Sequence, residues 1–418
     1  MKKFLLGMLA VFFFLGLPLS PVFAGEVDVL LEKLVEKGIL TQSEANIIRD
    51  ETEQKVKGDL AQGIAYSVPQ WVQKMRVSGD FRMRYQLEKR NGNEDARTRA
   101  RIRYRLGIET DIVKNVKIGF GLASGGADPR STNQTLQDTF SHKTIMLDTA
   151  FAEWTPTPEA RFIMGKFKRD DYLWQTTDTF WDDDIRPEGG AAHLERDLFN
   201  NVKGFVNGGV LALDEVDNTV PYEYMYYGQG GVAWTPSDKF DAKVANTYYG
   251  FNQIKGRRLD NTGCTNSGLS GTNSSCSGLL TYNYTSIGGT VEVGFNKLFD
   301  TLYRLAFFGD FNRNISDGVK DDESGYGVGM RIGDVKVDGP KKWQVSYVRK
   351  WLGKDAIPDI LNDSDSYDKS TDIEGHIAKV TYGLTKNVTF GINYFDFNRI
   401  KASKNEERLL QADLVFKF

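Results

Sequence analysis

Two sets of charged residues in this 418-residue sequence could act electrostatically on a charged or polar molecule. The first is a run of basic residues at alternate positions in two neighbouring stretches. Its members are Lys74, Arg76, Arg82, Arg84, Arg99, Arg101, Arg103 and Arg105. The second is a group of acids in one later segment, with the members Asp178, Asp182, Asp183, Asp184 and Glu188. Fixed charges of opposite sign would attract, repel or orient a solute held between them.

The basic residues alternate with apolar residues, and this period of two is typical of β-strands. Arg101 and Arg103, for example, flank Ile102. Because successive side chains of a strand point to opposite faces, one face of each strand is charged and the other is apolar. An arginine that faced lipid near the membrane midplane would cost about 2–4 kcal/mol. We therefore predict that these arginines face a water-filled interior.

Alternating runs of about ten residues recur to the end of the chain, which is the pattern of a membrane barrel. We predict an all-β fold, a transmembrane antiparallel β-barrel of about 16 strands over residues 73–418. The sixth to eighth strands are the most weakly patterned. Short connections are predicted at 111–115, 156–159, 236–239, 296–297 and 385–387. Long connections, which suit outer loops, are predicted at 125–142, 168–189, 253–280 and 353–372.

Residues 1–24 have the layout of a secretory signal peptide. Two lysines precede an apolar run, and a Val-Phe-Ala sequence that ends at Ala24 suits cleavage. A signal anchor is the alternative, which Pro18 and Pro21 disfavour because they break the apolar run. The sequence therefore predicts an exported protein.

Residues 25–72 are predicted to form a helical segment followed by a linker. Apolar residues at helical spacing precede Gly38, which suits the C-terminal cap of a first helix. The sequence Thr41-Gln-Ser-Glu44 is a capping box that begins a second helix. We expect this short hairpin to be a periplasmic appendage or an oligomer contact.

The composition leaves little room for catalytic or metal chemistry. Cys264 and Cys276 are the only cysteines, and in an exported protein they are predicted to form a disulfide in a Gly/Ser/Asn-rich loop. There are three histidines, and the net charge of −3 gives no bulk case for nucleic-acid binding. A mean hydropathy of −0.41 argues against a polytopic helical membrane protein. We expect no cofactor, no metal and no nucleic-acid partner.

Aromatic residues stand at predicted strand ends and at the last position. Trp154 and Trp234 each begin a Trp-Thr-Pro sequence at the foot of a strand, which favours an aromatic girdle at the lipid headgroups over a core position. The final strand alternates apolar residues up to Phe418. This ending resembles the signal that barrel assembly machinery reads in outer-membrane proteins.

Several stretches resemble the bacterial family called putative porins. They are Phe162-Ile-Met-Gly-Lys-Phe167, the segment from Trp181 to Gly189, the Gly-Ile-Leu-Thr sequence at 38–41, and the ending that runs from Tyr394-Phe-Asp-Phe397 to Phe418. The resemblance implies a passive channel for small solutes and ions in the outer membrane of a Gram-negative bacterium. Outer-membrane lipids and the assembly machinery would be its partners. Sixteen-stranded porins are often trimers, which leaves a homotrimer open.

In sixteen-stranded porins, the long connection after the fifth strand folds inward and narrows the barrel. The resemblance therefore makes residues 168–189 the candidate constriction loop, with its acids facing an arginine wall. The acids could instead belong to a solvated outer loop, bind a divalent cation, or form structural ion pairs with the arginines. Because basic residues dominate the predicted wall, we expect a preference for anions.

Two other functions are alternatives to a porin. A barrel that sheathes a partner, such as a multihaem cytochrome, would have a similar sequence, although a constriction loop argues against a large plug. An outer-membrane hydrolase would need a nucleophile beside a base, and the scattered His142, His193 and His376 do not suggest one. The run Gly325-Tyr-Gly-Val-Gly329 is too short for a dinucleotide fingerprint. We therefore expect no enzymatic activity.

Overall fold

A computed structural model describes residues 31, 33–51, 54, 69–90, 95–215, 223–272, 275–401 and 406–418. The chain divides into two compact units, Met1–Gln73 and Lys74–Phe418. The predicted signal peptide at 1–24 lies outside the described residues, as does much of the predicted linker. Within the described part, no helix is both long enough and apolar enough to cross a membrane.

The first unit contains the helices expected from the capping signals. Residues 33–36 and 42–51 are helical, and Gly38 has a φ of +69° just after the first of these stretches. The Thr41 N–H donates to the Glu44 carboxylate at 2.8 Å, and the Glu44 N–H donates to the Thr41 hydroxyl at 3.3 Å. These reciprocal bonds satisfy amide groups that a helix start leaves without an intrahelical partner. A single helical turn, Gln70–Gln73, follows.

The second unit is built from sixteen long strands in one sheet. In chain order they are β1 Arg76–Arg90, β2 Arg97–Val113, β3 Val116–Ser124, β4 Ile145–Thr157, β5 Ala160–Lys166, β6 Glu188–Phe199, β7 Val202–Asp214, β8 Glu223–Ser237, β9 Phe240–Asn252, β10 Ser286–Phe295, β11 Arg304–Asn314, β12 Ser324–Gly333, β13 Trp343–Leu352, β14 Ile373–Gly383, β15 Val388–Arg399 and β16 Glu406–Lys417. Each strand pairs antiparallel with its neighbours in the chain.

The sheet closes because β1 pairs with both β2 and β16. At the seam the Gly79 N–H donates to the Phe418 carbonyl at 3.0 Å, and the Phe418 N–H donates to the Gly79 carbonyl at 3.1 Å. Both ends of the barrel therefore lie on the side of the short turns. The predicted sixteen-stranded antiparallel barrel is confirmed, including the weakly patterned strands β6 to β8.

Strand alternation separates a polar lumen from an apolar outer face, as the sequence predicts. On β1 the side chains of Arg82 and Arg84 are buried inside the barrel, whereas Met83 between them is 45% exposed on the outside. Trp154 and Trp234 lie on the outer face beside short turns, where they contact Phe162 and Phe240.

The connection predicted at 296–297 is longer than expected. Strand β10 ends at Phe295 and β11 begins only at Arg304, because a 3-10 turn over Leu298–Asp300 intervenes. Two short pairings inside the outer loops were also not predicted. Gln134–Thr135 pairs with β2, and Leu269–Thr272 pairs with Ser275–Gly278. The structure joins Cys264 to Cys276 in a disulfide with a Cα–Cα distance of 5.5 Å.

The seam predicts a difference between two glycine substitutions. A Cβ at position 79 would lie 2.3 Å from the Arg105 carbonyl oxygen and 2.6 Å from the Phe418 ring, whereas one at position 107 would approach nothing closer than 3.7 Å. Overpacking costs about 1–3 kcal/mol, so Gly79→Ala should lower the temperature at which the folded band is lost on a denaturing gel. Gly107→Ala is the matched control. Equal melting of the two variants would contradict this account of the seam.

Candidate functional site

The connection between β5 and β6, residues 167–187, turns into the barrel and is called the inner loop here. Its first limb lies along the lumen wall, where the Tyr227 hydroxyl donates to the Tyr172 carbonyl at 2.8 Å. The Trp174 N–H donates to the Gln229 side-chain oxygen at 2.9 Å. Tyr172, Leu173, Phe180 and Trp181 are buried against the wall. Apolar packing and backbone hydrogen bonds therefore hold this loop inside the lumen rather than in outer solvent.

A second connection, residues 353–372 between β13 and β14, also folds inward and is called the upper loop. The carboxylate of Asp182 on the inner loop accepts the Ser364 N–H at 2.7 Å, and the Asp182 N–H donates to the Leu361 carbonyl at 2.8 Å. These bonds join the two loops. The upper loop brings Asp363 and Asp365 to the site. The sequence analysis identified this segment only as a long connection, although its many aspartates were a usable signal.

The arginine wall occupies the lumen faces of β1 and β2. The register places Arg82 opposite Arg103 and Arg84 opposite Arg101. Like charges directly opposite one another are destabilising, so nearby carboxylates must compensate. The Asp80 carboxylate accepts hydrogen bonds from Nη2 of Arg103 at 2.8 Å and from Nε of Arg105 at 2.7 Å.

A second carboxylate comes from the last strand. The Asp413 carboxylate on β16 accepts two hydrogen bonds from Arg84. Nε donates to Oδ1 at 2.7 Å and Nη2 donates to Oδ2 at 2.8 Å. Fork-like pairs of this kind are the stronger class of ion pair. Asp413 was missed from the sequence because only barrel closure brings β16 beside β1. Further out, Arg99 pairs with Glu88, and Arg101 donates to Gln86 at 3.2 Å.

Three of the residues grouped with the site in the sequence analysis lie elsewhere. Lys74 precedes β1, and Arg76 at the turn end is exposed and pairs with Asp111 at 3.4 Å. Placing Glu188 among the constriction acids was wrong, because it is the first residue of β6 and strand alternation turns it outward. Its carboxylate pairs with Lys166 at 2.7 Å on that outer face.

Some of the remaining charges meet in a space of about 290 Å³ between the arginine wall and the two loops, whereas Arg99, Arg101 and Arg105 do not line it. Its basic lining consists of Arg82, Arg84, Arg103 and Lys379, and its acidic lining of Asp178, Asp182, Asp183, Asp184, Asp363, Asp365 and Asp413. A second space of about 470 Å³ adjoins it through Arg103, Asp183 and Asp184. Basic side chains of the barrel wall and acids of the two loops therefore line one space together with Asp413 of the wall, and the acids outnumber the bases.

The loop aspartates differ in how readily they take up a proton. Burial raises the pKa of Asp182 well above its usual range, and the carboxylates of Asp363 and Asp184 add to this effect. Repulsion from Asp178 raises the pKa of Asp183, and burial adds to it, although the Asp183 side chain is 66% exposed to lumen water that screens the repulsion. Burial likewise raises the pKa of Asp363.

Two other loop aspartates shift the opposite way. Burial alone would raise the pKa of Asp178, but the Lys379 ammonium at 3.4 Å, a hydrogen bond with Asp183 and the charges of Arg169 and Lys350 together outweigh burial and lower it. Burial would also raise the pKa of Asp365, but the Arg84 guanidinium at 3.3 Å, a hydrogen bond with Gln411 and the charges of Arg101 and Arg82 together reverse that effect. Among the residues that the structure describes, no group of three or more His, Cys, Asp and Glu side chains is arranged to hold a metal ion.

Residues 88–291 and 280–418 match the model of a protein family described as Putative porin. The chain belongs to that family. The porin resemblance drawn from the sequence is confirmed, and the protein is an outer-membrane channel for the passive diffusion of small solutes. None of the curated proteins compared with this porin matches it.

Solved porin structures share the fold of this porin. A high-pH structure of OprB from Pseudomonas putida has a TM-score of 0.53 at 12% identity, over 84% of this chain and 96% of that one. OmpF of Salmonella typhi has a TM-score of 0.48 at 12% identity, over 82% of this chain and 97% of that one. A mutant porin of Rh. blastica has a TM-score of 0.43 at 12% identity, over 82% and 100%. At this identity the likeness to OprB shows the fold alone.

Lowering the pH is expected to make the porin more selective for anions. Asp182, Asp183 and Asp363 have raised pKa values, so as the pH falls they become neutral before ordinary aspartates, which titrate near about 4. The lumen then loses negative charge. The reversal potential in a KCl gradient should move toward the chloride value between roughly pH 8 and pH 5. A reversal potential that stays constant over this range would contradict the assignment.

Proposed function

We propose that solutes cross this porin between the arginine wall and the inner loop, and that the facing charges decide which solutes pass. One observation carries the proposal: Arg82, Arg84 and Arg103 line the same space as the aspartates of two inward-folded loops. The fixed charges create a field across the passage rather than along it. In a site partly shielded from bulk water such a field is stronger than it would be in solution.

A transverse field favours solutes that carry both signs of charge. The carboxylate of a zwitterion would face the guanidinium groups while its ammonium group faced Asp183 and Asp184. A neutral solute of the same size gains less from the field, and a simple ion gains on one side only. The solute class that we propose is therefore small dipolar molecules, with inorganic ions also passing.

Among simple ions we propose a weak preference for cations, which reverses the expectation from the sequence. That expectation counted the arginines without their partners. Arg103 and Arg105 share Asp80, and Arg84 is bound by both Asp413 and Asp365. Four basic side chains and seven aspartates line the passage, so its net charge is negative when all are ionised.

Export, insertion into the membrane and oligomeric state belong to the same proposal. We propose that the chain is exported with cleavage after Ala24, that Phe418 is read by the barrel assembly machinery, and that the barrel forms a homotrimer in outer-membrane lipid. We also propose that it has no enzymatic activity. The inner and upper loops occupy lumen space that a sheathed partner protein would need, which supports a solute channel over a cytochrome sheath.

Removing one charge from each side of the passage should move ion selectivity in opposite directions. Arg82→Gln should shift the reversal potential in a tenfold KCl gradient toward potassium, and Asp365→Asn should shift it toward chloride, each by roughly 5–15 mV of the 59 mV limit. Arg408→Gln removes a charge from the outer face, where the side chain is half exposed, and serves as the control. Shifts of the same sign for Arg82→Gln and Asp365→Asn would contradict the proposed passage.

Matched solutes test the proposed preference for dipolar molecules. Glycine, glycinamide, glycolate and glycolamide have the same number of heavy atoms and differ in charge. In proteoliposome swelling, glycine should enter about two- to fivefold faster than glycolamide, since the field adds roughly 0.5–1 kcal/mol of favourable interaction. Arg82→Gln should reduce this ratio. Equal rates for glycine and glycolamide would overturn the dipolar preference, whereas failure of all four solutes to enter would overturn the passage itself.

A further inference from the structure

The glycine run on β12 faces the lumen at the point where the inner loop reaches the far wall. Gly325 and Gly327 alternate with Tyr326 and Val328, which lie on the outer side. A Cβ at position 327 would lie 2.0 Å from the Thr179 hydroxyl oxygen, and one at position 325 would lie 2.8 Å from the Phe180 ring. The tip of the inner loop therefore packs directly against the backbone of β12, which is possible only where the strand has no side chains.

Asp310 on β11 lies directly across from Gly327 in the sheet register. Its side chain is 3% exposed and is held by the loop tip. The Thr177 N–H donates to Asp310 Oδ2 at 2.6 Å, and the Thr176 N–H and hydroxyl each donate to the same oxygen at 3.0 Å. Thr290 on β10 donates to Oδ1 at 2.8 Å. An ionised carboxylate is an acceptor only, and this set of donors satisfies both of its oxygens.

We infer that Asp310 and Gly327 form a latch that fixes the far end of the inner loop and thereby sets the width of the passage. The loop residues that the latch holds, Thr176, Thr177 and Thr179, adjoin Asp178 in the sequence, and Asp182 to Asp184 follow on the returning limb of the same loop. If the tip left the wall, these acids would change their distance from the arginines. Asp310 and Gly327 are positioning residues, because they act through the loop and not on the solute.

The latch has two parts that make different demands on substitutions. Asp310→Leu keeps the branched shape of the side chain but removes both acceptor oxygens, so the Thr176 and Thr177 N–H groups lose their partner. Gly327→Ala keeps all the hydrogen-bonding groups but fills the slot that Thr179 occupies. A common effect of two such different changes would come from displacement of the loop tip, which is the property that they share.

Single-channel recording tests the latch, which rests on the channel activity but not on the proposed charge selectivity. Asp310→Leu and Gly327→Ala should each raise conductance about 1.5-fold or more and add flicker between levels, because a freed tip widens the constriction intermittently. Gly228→Ala is the control, since a Cβ at position 228 meets nothing within 4 Å. Quiet channels of wild-type conductance in both latch variants would overturn the inference, even if the charge variants behave as proposed.

A disulfide between the loop tip and β12 should restore quiet conductance, which a misfolded protein could not do. The Thr179 Cβ lies 3.1 Å from the position of a Cβ at residue 327, which is below the roughly 3.5–4.5 Å that a disulfide needs, so the loop tip would move by a few tenths of an ångström to form one. Thr179→Cys combined with Gly327→Cys should conduct quietly at near wild-type level when oxidised and should flicker at higher conductance when reduced. Wild-type protein under the same reductant controls for Cys264–Cys276. A pair that does not cross-link in the folded barrel, or whose conductance is the same in both redox states, would overturn the latch.

Discussion

Repulsion among the lumen arginines is the constraint on which much of this porin depends. Strand alternation leaves these residues no place on the lipid side, and the register sets arginine opposite arginine twice across β1 and β2. Such a wall is stable only when carboxylates come within reach. Asp80 comes from the wall itself, whereas Asp413 comes from the last strand, so that closure of the barrel and compensation of its charge are a single event.

The two inward-folded loops supply further carboxylates that compensate the arginine charges, and they carry more carboxylates than the arginines bind. Asp365 of the upper loop reaches Arg84 at 3.3 Å, and Asp184 of the inner loop reaches Arg105 at 3.6 Å. Because the loops carry more carboxylates than these arginines bind, negative charge remains on one side of the passage. Asp183 is exposed there to lumen water while it also contacts Arg169. In the proposed function, the balance between bound and water-facing charges, and not the net charge of the chain, governs what passes.

Three kinds of interaction hold the inner loop, and they respond differently to their surroundings. Apolar packing of Tyr172 and Phe180 changes little with salt or pH. Asp310 binds the tip through neutral donors, which salt screens weakly. The Asp182 carboxylate binds the upper loop, and its pKa is raised by burial and by Asp363. This junction between the two loops is therefore the most sensitive to acid. Protonation of Asp182 would therefore act on the junction of the two loops and on the charge of the passage together.

The sequence alone determined the barrel, its span, the facing of its strands and the inward direction of Arg82 to Arg105. These features follow from a period of two, which is local and does not depend on distant contacts. It also pointed to the inner loop through a family resemblance. Glu188 shows the limit of that approach, because the loop predicted to end at residue 189 ends at residue 187, which places Glu188 on the outer face of β6.

The tertiary structure alone decided which charges meet. Asp413 lies beside Arg84 only because residues 329 positions apart become neighbours at the seam. Asp363 and Asp365 enter the passage through a fold of the upper loop that no periodicity encodes. The role of Gly327 was hidden because a glycine in a strand has no pattern until the loop that packs on it is placed. The proposed charge selection depends on these distances, and distances between remote segments arise only when the barrel closes.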